Sequence, residues 1–252
     1  MLEINGLNRR FGGLQAVKDV SFSVREGQIK AVIGPNGAGK TTLFNLISGY
    51  LRADSGITSF MGKQIQTMAP HKIARSGISR TFQHIRLFHE MTALENVMVG
   101  RHTQSSSGFI AGMFSLPGTR TEEKRIRNRA LEIMDFIGIA DLADTDATSL
   151  AFGQQRGVEL ARALASDPKL MLLDEPAAGL NMKETAEVAV QITKIRDLGI
   201  TVLIVEHDMS LVMNISDEIV VLNYGEKIAE GLPLEIQKDS EVIKVYLGDE
   251  DA

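Results

Sequence analysis

Apolar positions cluster in five runs with strand character: VKDVSFSV (Val17 to Val24), IKAVIG, KLMLLDE, ITVLIVE and DEIVVLN. Helix-like segments separate them, the spacing of an α/β domain with a largely parallel central sheet. LMLLD and TVLIV are almost unbroken apolar, as befits central strands covered on both faces. Between Arg80 and Ala165 the strand pattern stops and helical segments take over, among them TALENVMVGRH and TEEKRIRNRALEIMDFIGI. This predicts an inserted helical subdomain, with Thr119 and Glu122 at capping-box spacing to start the second segment. The Ser/Gly-rich stretch Thr103 to Gly118 carries Phe109, Ile110, Met113, Phe114 and Leu116. It reads either as a mobile surface loop or as a partner contact.

Composition narrows the class. The 252 residues fit one large α/β domain with an appended subdomain. With 27 Lys plus Arg against 32 Asp plus Glu, the net charge of −5 supplies no basic field for nucleic acid. There is no cysteine, and the five histidines lack metal-ligand spacing, which argues against a zinc site. The N-terminus MLEINGLNRR is not a signal peptide, and no apolar run approaches the length of a membrane span. A cytoplasmic protein that reaches a membrane only by docking on another component is expected.

The sharpest chemistry lies in GPNGAGKTT, Gly34 to Thr42. It follows the strand IKAVI and precedes a helix, so it matches the phosphate-binding loop in the context that motif needs. Gly34, Pro35, Asn36, Gly37, Ala38 and Gly39 would bring backbone N–H groups onto phosphate oxygens, helped by the helix N-terminus. Lys40 would place its charge on the β- and γ-phosphates, and Thr41, followed by Thr42, would offer a hydroxyl to Mg²⁺. Asp174 and Glu175 end an apolar strand at the carboxyl edge of the sheet, where open α/β folds bind ligands. Asp174 suits the Mg²⁺ shell, and Glu175 suits a general base for water.

Three further residues have two readings each. His207, after the strand ITVLIVE, is a loop residue or a γ-phosphate sensor. Gln83 is a solvated amide or a contact to metal or water that reports nucleotide state to the helical insert. Phe11 belongs to the core or stacks on a purine ring.

Taken in order, these elements resemble the ATP-binding subunits of ABC transporters over essentially the whole chain. The resemblance implies a RecA-like P-loop NTPase core with a mostly parallel sheet, an N-terminal antiparallel β subdomain and an inserted α-helical subdomain. The implied boundaries are 1–82 for the β subdomain and P-loop core, 83–165 for the helical part, and 166–252 for the rest. It places Phe11 at the A-loop, Gln83 at the Q-loop, Gly153 and Gln154 in the signature, and His207 at the switch histidine. In that family the signature of one subunit closes over ATP held by another. RTFQHIRLFHEMTALENV, DEPAAGLN, EHDM and EVIKVYLG are similar more narrowly to subunits of branched-chain amino acid importers. That implies ATP and Mg²⁺ as cofactors, a transmembrane permease, a second ATP-binding subunit in a homo- or heterodimer, and indirectly a substrate-binding protein. It also implies a place on the inner face of the cell membrane.

Two departures stand out. Where the family signature reads LSGGQ, this chain has Leu150, Ala151, Phe152, Gly153 and Gln154. The hydroxyl usually offered to the γ-phosphate is missing, a charge-assisted hydrogen bond worth about 1.5 to 3 kcal/mol. The loop after Glu175 ends in Asn181 where many relatives have Asp. Rival readings are the same role for another cargo, such as urea or short amides, a soluble ABC-type ATPase acting on DNA or ribosomes, and a nucleotide-binding module that does not hydrolyse.

Overall fold

The computed structural model describes residues 1–101 and 117–247. They form two compact units, one of residues 1–80 and 169–247 and the other of residues 81–101 and 117–168. The stretch predicted as a loop, Thr103 to Gly118, falls almost wholly outside the described residues.

The first unit holds two sheets. Strands β1 (Leu2–Phe11), β2 (Leu14–Val24), β4 (Ser55–Phe60) and β5 (Lys63–Gln64) make an antiparallel sheet in the order β2-β1-β4-β5. β1 buries Leu2 and Ile4 and exposes Glu3 between them, the period-2 pattern of a strand with one covered face. The second sheet runs β10-β9-β3-β8-β7-β6, from β3 (Ile29–Ile33), β6 (Ile78–Arg80), β7 (Leu170–Asp174), β8 (Thr201–Val205), β9 (Glu218–Asn223) and β10 (Glu226–Gly231). Its pairings are parallel except β10 on β9. Every residue of β3, β7 and β8 is buried, which is why their sequences carry no alternation. Leu2, Ile4, Val20 and Phe60 of the first sheet share one core with Val32, Leu172, Leu203 and Val220 of the second and with Leu43, Phe44 and Ile47 of helix α1 (Lys40–Ile47).

This unit also contains α2 (Pro70–Arg75), and after β7 come α6 (Met182–Asp197), α7 (Met209–Ile215), α8 (Pro233–Ile236) and α9 (Ser240–Leu247). The five strands predicted from hydrophobicity are β2, β3, β7, β8 and β9. The short β5 and β6 and the polar β10 have too little apolar sequence to stand out.

The second unit is built from α3 (Ala93–Arg101), α4 (Pro117–Ile137) and α5 (Phe152–Leu164). Ala93, Leu94 and Val97 of α3, Ala130, Ile133, Met134 and Ile137 of α4, and Val158, Ala161 and Leu164 of α5 are buried at helical spacing. Gly100 lets α3 and α5 approach closely, because a Cβ there would stand 2.1 Å from the Arg162 carbonyl oxygen. One sequence expectation is corrected: α4 begins at Pro117, so Thr119 lies inside the helix rather than capping it. Pro117 is a suitable first residue because its fixed φ is already helical and its missing N–H would have no helical partner there.

Candidate functional site

The loop between β3 and α1 takes its shape from glycine. Gly34, Gly37 and Gly39 have φ of 149°, 82° and 101°, a region L side chains avoid. A Cβ on Gly39 would lie 2.3 Å from the Ala16 carbonyl oxygen, so that position has neither the dihedral nor the room for another residue. Ala38 N–H donates to the Pro35 carbonyl at 3.1 Å, and the Gly225 N–H of the β9–β10 turn donates to the Ala38 carbonyl at 3.0 Å. Helix α1 starts without any side-chain cap and without an acidic residue in its first turn. Uncapped N–H groups and the positive end of the helix dipole leave that terminus suited to an anion.

Lys40 is buried, and its ammonium donates to the carbonyls of Gly34 at 2.6 Å and Pro35 at 3.0 Å. Burial lowers its pKa, while the charges of Glu175 and Asp174 act in the opposite direction. Lys40 follows β3 and the two carboxylates stand at the end of β7, so all three lie at the carboxyl end of the parallel sheet. Thr41 is exposed and Thr42 half-buried at the start of α1, with Asn36 exposed in the loop.

Asp174 closes β7 with its side chain 2% exposed, and accepts a hydrogen bond from Arg80 Nη2 at 2.8 Å. Arg80 lies on the adjacent strand β6 and also donates to Asn45 of α1 at 2.7 Å and to Ser48, just after that helix, at 2.8 Å. The next residue, Glu175, has φ 50°, a conformation costly for a non-glycine residue and frequent at functional sites. Its N–H donates to the Val205 carbonyl of β8 at 2.9 Å. His207 follows β8, largely exposed, with Nδ1 4.0 Å from Glu175 Oε2.

Glu206, which sequence reasoning did not single out, organises this edge. It is fully buried, and its carboxylate accepts the Ala177 N–H at 2.8 Å, the His207 N–H at 3.0 Å and the Asp208 N–H at 3.4 Å. Burial pushes its pKa up, against the pull of those three donors. A buried Glu ending a nonpolar strand was the available signal.

Phe11 is 42% exposed at the end of β1, with the Arg9 guanidinium 4.8 Å from its ring centroid. Of its two readings, burial in the core does not hold. At the start of α6, Asn181 accepts the N–H groups of Lys183 at 3.0 Å and Glu184 at 3.1 Å, while Glu184 accepts the Asn181 N–H at 2.9 Å. This reciprocal cap gives Asn181 a local structural role.

Gln83, Gly153 and Gln154 belong to the helical unit. Ala151, the residue before α5, has no side-chain oxygen to cap the helix, and no acidic residue occupies the first turn. The Gln154 side chain accepts the Ala151 N–H at 3.0 Å. Arg156 of α5 reaches the exposed Gln83 segment, donating to the carbonyls of Phe82 at 2.9 Å and Gln83 at 2.6 Å. It also pairs with buried Glu159 at 3.1 Å, whose pKa is raised chiefly by burial. The residues predicted for the Q-loop and the signature are therefore tied through a buried arginine that sequence reasoning also passed over.

A lysine held in a glycine-shaped loop, facing two carboxylates across parallel strands, defines a P-loop nucleotide hydrolase. The profile described as ABC transporter matches residues 17–178, and the one described as branched-chain amino acid ATP-binding cassette transporter matches residues 226–252. The chain is 46% identical over 250 residues to the high-affinity branched-chain amino acid transport ATP-binding protein BraF of Pseudomonas aeruginosa, covering 99% of this chain and 98% of that one. Its fold matches a nucleotide-free ATP-binding cassette from an ABC transporter with a TM-score of 0.86 and 34% identity, covering 99% of each chain. It also matches a dimeric bacterial ABC transporter cassette with a TM-score of 0.79 and 25% identity, covering 92% of this chain and 99% of that one. The chain belongs to the ABC transporter family and is one of its ATP-hydrolysing cassettes. No helix among the described residues is long and apolar enough to cross a membrane.

Proposed function

We propose that this chain powers import of branched-chain amino acids by hydrolysing Mg·ATP beneath a membrane permease. The observation that carries the hydrolytic part is the placement of Lys40, after β3, and of Asp174 and Glu175, at the end of β7, on the same carboxyl edge of the parallel sheet. The cargo class follows from the C-terminal family match and from the named activity of the relative BraF.

Phe11 offers its exposed ring to the adenine. Backbone N–H groups from Gly34 to Thr42 and the Lys40 ammonium hold the β- and γ-phosphates. Lys40 exchanges its carbonyl partners, Gly34 and Pro35, for phosphate oxygens. Thr41, Gln83 and Asp174 would offer oxygen donors to Mg²⁺, which when bound would supply counter-charge for the phosphates. Glu175 accepts the proton of the attacking water, and His207, with Nδ1 4.0 Å from that carboxylate, donates to the γ-phosphate. Gly153 and Gln154, at the open N-terminus of α5, serve the ATP held by a second ATP-binding subunit, in a homo- or heterodimer. A substrate-binding protein would deliver cargo to the permease, and the cassette would sit on the inner membrane face.

Co-purification from membranes tests this reading. Recovery of a permease and a second cassette, with ATPase activity raised by a binding protein loaded with leucine, isoleucine or valine, is the expected result. Stimulation by urea or a short amide instead would reassign the cargo, and recovery without any permease would overturn the transport role.

A further inference from the structure

In the helical unit, the end of α3, the side of α4 and the turn after α5 border an open, solvent-facing cavity of about 570 Å³. Four cations line it, Arg101, Lys124, Arg125 and Arg129, against two acids, Glu132 and Asp167. Both acids are already engaged. Asp167 pairs with Arg101 and, at 3.5 Å, with Arg129, while Glu132 takes the other Arg129 nitrogen at 3.0 Å. Lys124 and Arg125, one turn earlier on α4, have no ion pair among the described residues and are exposed. Arg101 Nε is buried without a hydrogen-bond partner, a donor still to be satisfied.

The excess charge is not met from the connecting sequence, because residues 102–121 contain no Asp or Glu. Glu122 and Glu123 precede Lys124 on the helix but do not line the cavity. In a chain of net charge −5, a concave site carrying two surplus cations is a local exception. Its volume lies within the roughly 300 to 1,000 Å³ typical of small-molecule sites, yet its walls are charged rather than apolar. Guanidinium forks beside an ammonium and the Asn128 amide suit an oxyanion that accepts from several directions.

We propose that this cavity is an anion site that takes a phosphate-bearing ligand, either the headgroup of an anionic phospholipid or a soluble phosphorylated molecule. The site shares no lining residue with the nucleotide site and does not depend on the function proposed above. Lys124 and Arg125, without an ion pair among the described residues, supply the charge, and Asp167 acts as the internal counter-ion that the ligand's oxygens replace at Arg101 and Arg129.

The test uses the full chain with ADP saturating the P-loop, titrated calorimetrically with inorganic pyrophosphate, and floated in parallel with vesicles of phosphatidylcholine alone or mixed with phosphatidylglycerol. The Lys124→Gln/Arg125→Gln variant should bind the probe at least tenfold more weakly with its ADP affinity unchanged. Asp167→Asn, which keeps a residue tolerant of the φ of 47° at that position, should bind it more tightly. Pyrophosphate binding that obeys this pattern assigns a soluble ligand. Flotation only with phosphatidylglycerol, lost in the double variant, assigns a headgroup. No binding of either probe, or binding unaffected by these substitutions, overturns the proposal.

Discussion

The Glu206 carboxylate accepts the Ala177 N–H at 2.8 Å, joining the segment after Glu175 to the loop that carries His207. Because burial raises the Glu206 pKa, its ionised form costs the folded state more than the unfolded one. That stability is intact below the ordinary glutamate value and is lost as pH rises through the raised folded value. Glu206→Gln should therefore flatten the dependence of the urea midpoint on pH across that interval, even though the amide meets N–H donors poorly. Glu159 titrates with the same sign, so the difference between native and variant profiles isolates Glu206. Turnover should fall more than ATP affinity, since Glu206 positions the loops rather than touching ATP.

Arg80→Ala would leave Asp174, 2% exposed, without its guanidinium. Removing one member of a buried pair costs about 3 to 5 kcal/mol. Denaturant unfolding should show a loss of that order, with part of it recovered in Arg80→Lys. An unchanged midpoint would mean that water reaches the carboxylate.

Arg156→Met should weaken the helical unit by a comparable amount, because Glu159 stays buried and the Phe82 and Gln83 carbonyls lose their donor. Adding Glu159→Leu should restore much of the stability, as apolar replacement of a buried ion pair often does. Coupling of ATPase to transport should remain impaired in the double variant, since the tie to the Gln83 segment is still absent.

Glu175→Gln should lower ATP turnover by about 10² to 10⁴, the usual worth of a general base, and leave ATP binding in place. Full activity in a steady-state phosphate-release assay would remove Glu175 from that role.

Gly153→Asp would set a carboxylate at the open start of α5, where a phosphate is expected to approach. ATP should still bind to Lys40 of the same chain, while hydrolysis by the mixed dimer is lost. Normal hydrolysis in that mixture would refute action across subunits.

What could be read in the sequence was what is contiguous in it. The phosphate loop, the β7 carboxylates and the buried strands each carry their signal within a few residues. Arg80, Arg156 and Glu206 escaped because their importance lies in partners 94, 73 and 29 positions away, brought close only by strand register and helix packing. Phe11 gave an ambiguous reading because an aromatic at a strand end serves core or ligand equally well, and only its exposure separates the two. The α4 boundary was misplaced because capping-box spacing at Thr119 outweighed the proline two residues before it.

Asn181 gives the start of α6 a property an aspartate there would not have. An aspartate cap weakens once its carboxyl is protonated, whereas an amide accepts the Lys183 and Glu184 N–H groups equally at any pH. The Lys183 and Glu184 N–H groups at the first turn after the Glu175 loop therefore keep their acceptor on acidification.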